Sequence, residues 1–143
     1  MHTVAIVVPL VWLAWLVATD WLPMFPLNDL SGANVRGRAL AAAINYPFPL
    51  LVAAGVAYGR AWSLLAAMGI CVLILAGHLY NWWLPYLGVS NAGQRELYRR
   101  EYARTLKILP AEGHDVVVDV QHMVVGALSL IMLVTTLVAT LNP

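Results

Sequence analysis

One cysteine is all this chain has, and Cys71 sits inside an apolar run. No intrachain disulfide is possible, nor a cysteine-based metal site. Charge is nearly as scarce. Charged residues make up 10% of the chain, with a formal net charge of +1, where a soluble domain carries about 25%. That balance excludes a strongly basic nucleic-acid surface, so no nucleic-acid partner is expected. A basic leader is missing too. Met-His-Thr precedes the first apolar run, and no clean A-x-A pattern follows it. The run therefore reads as a retained span and not as a signal peptide. The chain also lacks an internal repeat and a low-complexity tract.

What the chain has is long apolar runs. Its residues are 62% hydrophobic, against about 45–50% in a soluble domain. A helix needs roughly 20 apolar residues to cross the hydrocarbon core. Four stretches qualify: about 3–19, 39–58, 61–80 and 116–141. They are too long and too continuously apolar for barrel strands, so helices are expected. The fold class is all-α: a single membrane domain, 1–143, built as a four-transmembrane-helix bundle. Pro47 and Pro49 interrupt the second span. Proline inside a helix removes a backbone hydrogen bond, which leaves open a plain kink or a cavity beside Asn45 and Tyr46.

Basic residues divide unevenly between the two ends of the spans. Arg36, Arg38, Arg95, Arg99, Arg100, Arg104 and Lys107 fall in the loops after spans one and three, while Arg60 stands alone at the other end. Such asymmetry places the richer side in the cytoplasm. A multi-pass cell-membrane protein with both termini extracytoplasmic is the expectation.

The cytoplasmic loop 81–115 carries its own pattern. Ser90 or Asn91 can cap a helix running over about 92–109, which Pro110 would stop. Tyr98, Tyr102, Leu106 and Leu109 would share one face, and Glu96 would pair with Arg100. The expected element is an amphipathic interfacial helix between spans three and four; a solvated connector would show the same pattern. Trp82, Trp83 and Tyr86 follow span three as an interfacial belt.

The sharpest feature is "GHDVVVDVQHMVVG", residues 113–126, at the mouth of the fourth span. Asp115, Asp119 and His122 follow an i, i+4, i+7 spacing and would share one helix face, with His114 and Gln121 elsewhere. At about 1.5 Å rise per residue, His122 lies roughly 9 Å into its span, and Asn45 and His78 reach a similar depth. Asp20 closes the first span at that end. Polar groups from all four spans thus converge on one layer, and ionisable groups in a membrane mark functional sites by default. Helix-start capping explains Asp115 without any function.

Asp119, His122 and His78 are the candidate catalytic residues, by acid–base chemistry. Asn45, Tyr46, Asn81 and Asp20 are the candidate substrate-binding residues, with Tyr80 nearby. The expected function is an integral membrane enzyme, or a binder, acting on a lipophilic small molecule. A non-catalytic accessory subunit is the alternative, with His78 and His122 as axial ligands of a haem b. A small transporter ranks lower, because the midplane is apolar. The same three candidates could form a two-His, one-carboxylate metal set, but no HxxxH or HExxH pair supports one. No cofactor is assigned. The expected partners are the lipid bilayer, a lipophilic ligand, and a second copy or another membrane protein.

Overall fold

The computed structural model describes residues 2–32 and 34–142, and it is helical throughout its long elements. The helices are α1 (His2–Trp21), α2 (Val35–Asn45), α3 (Pro47–Tyr58), α4 (Ala61–His78), the three-residue α5 (Leu84–Tyr86), α6 (Ala92–Leu97) and α7 (Val120–Leu141). Two π-helical segments, Leu79–Trp83 and Tyr98–Tyr102, follow α4 and α6. Four helical stretches are long and apolar enough to cross a membrane: His2–Trp21, Val35–Tyr58, Ala61–Tyr86 and Val120–Leu141.

The long helices close a ring in the order α1, α3, α4, α7. Connectivity makes each ring neighbour antiparallel. Ala5, Val52, Val56, Leu64, Ala67, Cys71, Met132 and Ala139 form the buried core. Their outer faces are apolar and exposed, among them Val11, Leu51, Leu73 and Ile131. Small residues let the backbones approach. A Cβ at Gly55 would lie 2.9 Å from the Ser63 carbonyl oxygen, and Ser63 Oγ donates to the Gly55 carbonyl at 2.9 Å. Polar rivets join α1 to α7. Trp12 Nε1 donates to Ser129 Oγ at 2.9 Å, and Trp15 Nε1 to the Gln121 carbonyl at 3.3 Å.

The expected second span is broken in two. The helix starts at Val35, earlier than 39, and breaks at Tyr46. Pro47 and Pro49 have no amide to donate one turn back, which frees the carbonyls of Ala43 and Asn45. Ala42 is the one buried residue of α2, so α2 splays from the ring where α3 packs into it.

Three expectations at the same end of the bundle need correction. The third span does not stop at 80: it continues through the π-helical segment to Tyr86. Pro85 lacks the amide for an α-helical bond to Asn81 and would crowd that carbonyl, and the wider π turn relieves the crowding, with Leu84 N–H bonding back to the Leu79 carbonyl. The expected helix 92–109 is shorter. Asn91 caps it, but it ends in the π-helical segment at Tyr102. There Lys107 Nζ donates to the carbonyls of Tyr102, Ala103 and Thr105 at 2.6, 2.9 and 2.8 Å. Leu106 and Leu109 therefore do not share a helix face with Tyr98 and Tyr102. The pairing of Glu96 with Arg100 gives way to Arg99–Glu96 and Arg100–Glu101, since π winding shifts the one-turn register.

The fourth span begins at Val120 and not at 116. Val116, Val117 and Val118 are buried outside any helix, and Asp119 forms an isolated antiparallel bridge with Lys107. The i, i+4, i+7 stripe on one helix face does not form. Asp115 is exposed in a bend, and Asp119, not Asp115, is the N-cap, accepting the His122 amide. β-Branched valines and a side chain that competes for backbone amides both favour a late helix start. Residues 103–119 thus form a strap across this end of the ring. Leu106 N–H donates to the Pro26 carbonyl at 2.7 Å, and Arg104 Nε meets Asp29 Oδ2 at 2.6 Å.

Candidate functional site

Under the strap, Asp119 and His122 form a buried pair. Their exposures are 0% and 9%. Asp119 Oδ1 lies 2.7 Å from His122 Nδ1 and also accepts the His122 amide at 2.9 Å. Its Oδ2 accepts the Thr105 hydroxyl at 2.7 Å. Capping produces this arrangement: an N-cap carboxylate turned toward the third helical residue meets that residue's side chain as well. Burial alone would raise the Asp119 carboxyl. The bonds from His122 and Thr105 outweigh it and hold the group below the usual carboxylate range. A carboxylate at Nδ1 selects the tautomer with hydrogen on Nδ1. Nε2 is then the free base, and it has no hydrogen-bond partner among the described residues.

Aromatic rings clamp the imidazole. Trp82 stacks on it with centroids 3.5 Å apart and planes at 25°. Tyr102 meets it edge-on at 5.0 Å, and the two clamps touch each other. Each comes from a π-helical segment, a conformation that often marks functional positions. Burial pushes the Tyr102 hydroxyl up, with the charges of Glu101, Asp119 and Asp20 adding to the effect, so this phenol stays neutral.

His122 opens onto two adjoining cavities. An apolar one of about 470 Å³ is bounded by Trp12, Leu16, Phe48, Leu73, Ile74 and Val125, with His78, Asn45 and Asn81 among its few polar residues. A second, of about 230 Å³, shares His122, Asn45, Asn81 and Trp82 with it and adds Asp20, Gln121 and Tyr102. The splayed α2 leaves this space beside Asn45.

The structure brings some of the expected site residues together and keeps others apart. Asp119 and His122 meet. His78 is buried and faces the same apolar cavity, yet it bonds to neither. Its Nε2 is buried without a partner, pressed to α7 where a Cβ on Gly126 would lie 2.5 Å away. Asp20 accepts the Tyr46 hydroxyl at 2.8 Å, and Tyr46 accepts from Trp21 Nε1 at 3.0 Å. Tyr46 thus holds Asp20 in place. Asn81 Nδ2 donates to its own helix at Gly77 and stays exposed. His114 stacks on Tyr86 away from the site. Among the described residues, no three His, Cys, Asp or Glu side chains converge to hold a metal. Both Asp119 oxygens are already engaged by Thr105 and His122.

Sequence reading missed Trp82, which passes for belt, and Thr105, which carries no signal. Gln121 was set aside as being on another face. Pro85, a turn after the Asn-Trp-Trp run, was the available sign of a widened turn there. Searches against protein families, curated proteins and solved structures find no match.

Proposed function

We propose that this chain is an integral membrane enzyme that acts on a lipophilic molecule by acid–base chemistry at His122. The bundle sits in the bilayer with the strap on the cytoplasmic side, as the distribution of basic residues implies. The observation that carries the reading is the 2.7 Å contact between Asp119 Oδ1 and His122 Nδ1 in the wall of a 470 Å³ apolar cavity.

Each part has a chemical task. His122 Nε2 takes a proton from a hydroxyl, a bound water or an activated C–H of the substrate, and returns it later in the cycle. The imidazolium so formed is stabilised by Asp119 and by the face of Trp82, an arrangement favourable to a cation. Thr105 keeps the carboxylate turned toward the ring. The cavity desolvates the substrate's apolar part, and Asn45 and Asn81 offer hydrogen bonds where it meets His122. A haem on His78 Nε2 would require α7 to move at Gly126, so the geometry favours acid–base chemistry over axial ligation.

The test is untargeted. Purified protein is reconstituted with a total membrane lipid extract, and the extract is followed by mass spectrometry. Wild type should deplete at least one lipid and form a product from it, and His122→Gln and Asp119→Asn should not. Identical lipid profiles for wild type and both variants would sink the enzymatic reading.

A further inference from the structure

A third cavity, of about 280 Å³, lies beyond the second and shares Asp20, Leu97, Tyr102 and Gln121 with it. Most of the residues lining it are polar or charged. Two of its lining residues each have a buried side-chain atom without a partner among the described residues: Arg38 Nη2 and Gln121 Oε1. Leaving such groups unpaired is costly, and a lone guanidinium nitrogen is the costlier of the two. Among the described residues no carboxylate pairs with Arg38, although Asp20 lies within range of its charge. Arg100 is taken by Glu101 at 2.6 Å and Asp29 by Arg104 at 2.6 Å. Asp20 lines the same wall but accepts from Tyr46. Arg38 is therefore the one cation of this cavity without a carboxylate partner among the described residues. Its guanidinium stands 5.8 Å from the Trp21 ring.

The second cavity shares lining residues with each of the other two, which sets the three in sequence from the apolar space, past His122, to Arg38 and Gln121. We propose that the ligand is an anionic amphiphile. Its chain fills the apolar cavity and its middle passes His122. Its anionic group meets Arg38, and a hydroxyl or ammonium of the same head meets Gln121 and Asp20. An arginine fork suits phosphate or carboxylate geometry, and the unpartnered Gln121 Oε1 takes a donor. This deepens the functional reading above and rests on it for the role of His122, but not for the head site itself.

Binding tests it directly, on the full chain in a neutral detergent by calorimetry. The probes are oleoyl-lysophosphatidate, neutral monooleoylglycerol and water-soluble glycerol phosphate. Lysophosphatidate should bind about tenfold or more tighter than monooleoylglycerol, and glycerol phosphate should bind far more weakly. Arg38→Gln should remove the preference while leaving monooleoylglycerol binding unchanged, which also shows that the variant is folded. Arg38→Lys should keep part of it, and Arg36→Gln, an exposed arginine on the same helix, all of it. Equal affinity for the two lipids would overturn the proposal. So would an equal loss in Arg36→Gln, which would mean diffuse surface attraction, or glycerol phosphate binding as tightly as the lysolipid. His122→Gln should keep the preference. If it also keeps lipid turnover, the acid–base reading fails and the head site stands.

Discussion

At the scale of the residue, Asp119 has two separable tasks. As N-cap it accepts the His122 amide, and as a carboxylate it holds the His122 ring and Thr105. Asp119→Ala should lower stability by about 2–4 kcal/mol, through the lost cap and the buried donors left behind. Asp119→Asn keeps a capping oxygen and should cost much less; denaturation in detergent compares the two. The acid limb follows from linkage. The Asp119 carboxyl is held below its ordinary value in the folded state. Its contribution is therefore present above about pH 4 and is lost as pH falls through the lower folded value. Melting temperature between about pH 4 and pH 2 should fall more steeply in wild type than in Asp119→Asn. Asp29, held well below the usual range by Arg104 and Ser31, acts with the same sign in both proteins and cancels in the comparison. Gly126 offers a second test. An added Cβ would strike His78 Nε2, so Gly126→Ala should destabilise by about 1–3 kcal/mol. The effect should shrink in a His78→Ala background, since the two positions touch.

Individual elements owe their shape to one or two residues each. Lys107 draws three carbonyls at the end of the Tyr98–Tyr102 segment onto its ammonium. Lys107→Met should release the strap, and hydrogen-exchange mass spectrometry should show faster exchange over 98–107 with the four long helices unchanged. Uniform exchange in both proteins would mean that other contacts hold the strap. At this scale the sequence was partly legible. Asn91 as a cap and the proline break near Tyr46 follow from local chemistry, and the structure carries both. The strap was not legible. Residues 103–119 read as helix and loop because the bonds that divert them come from Pro26, Asp29 and the Lys107–Asp119 bridge, and no local periodicity encodes those. Asp119 and His122 were found for a different reason than the one that unites them. A helix face was expected; a cap three residues from the ring is what joins them. Trp82 and Tyr102 needed π turns to reach the imidazole, and a 3.6-residue template cannot anticipate those.

The whole molecule is a ring of four apolar helices closed at one end by polar loops and the strap. The four long apolar helices were legible because each is an apolar run of about twenty residues, long enough to cross a membrane. The cavities were not, because they lie where α2 leaves the ring, and the angle of a proline break is set by packing. The orientation argued from the basic residues is open to test in whole cells. Alkaline phosphatase fused after Asn142 should be active and fused after Gly113 inactive. The reverse pattern would put the strap, and with it His122, on the outer face.

One imidazole, that of His122, carries the proposed chemistry. Nitrogen-15 NMR of histidine-labelled protein in lipid nanodiscs reports its tautomer directly. With Asp119 Oδ1 at Nδ1, the neutral His122 ring should carry its hydrogen on Nδ1 and leave Nε2 bare. Asp119→Asn should abolish this preference. A neutral His122 ring with hydrogen on Nε2, or a tautomer that Asp119→Asn leaves unchanged, would contradict the assignment.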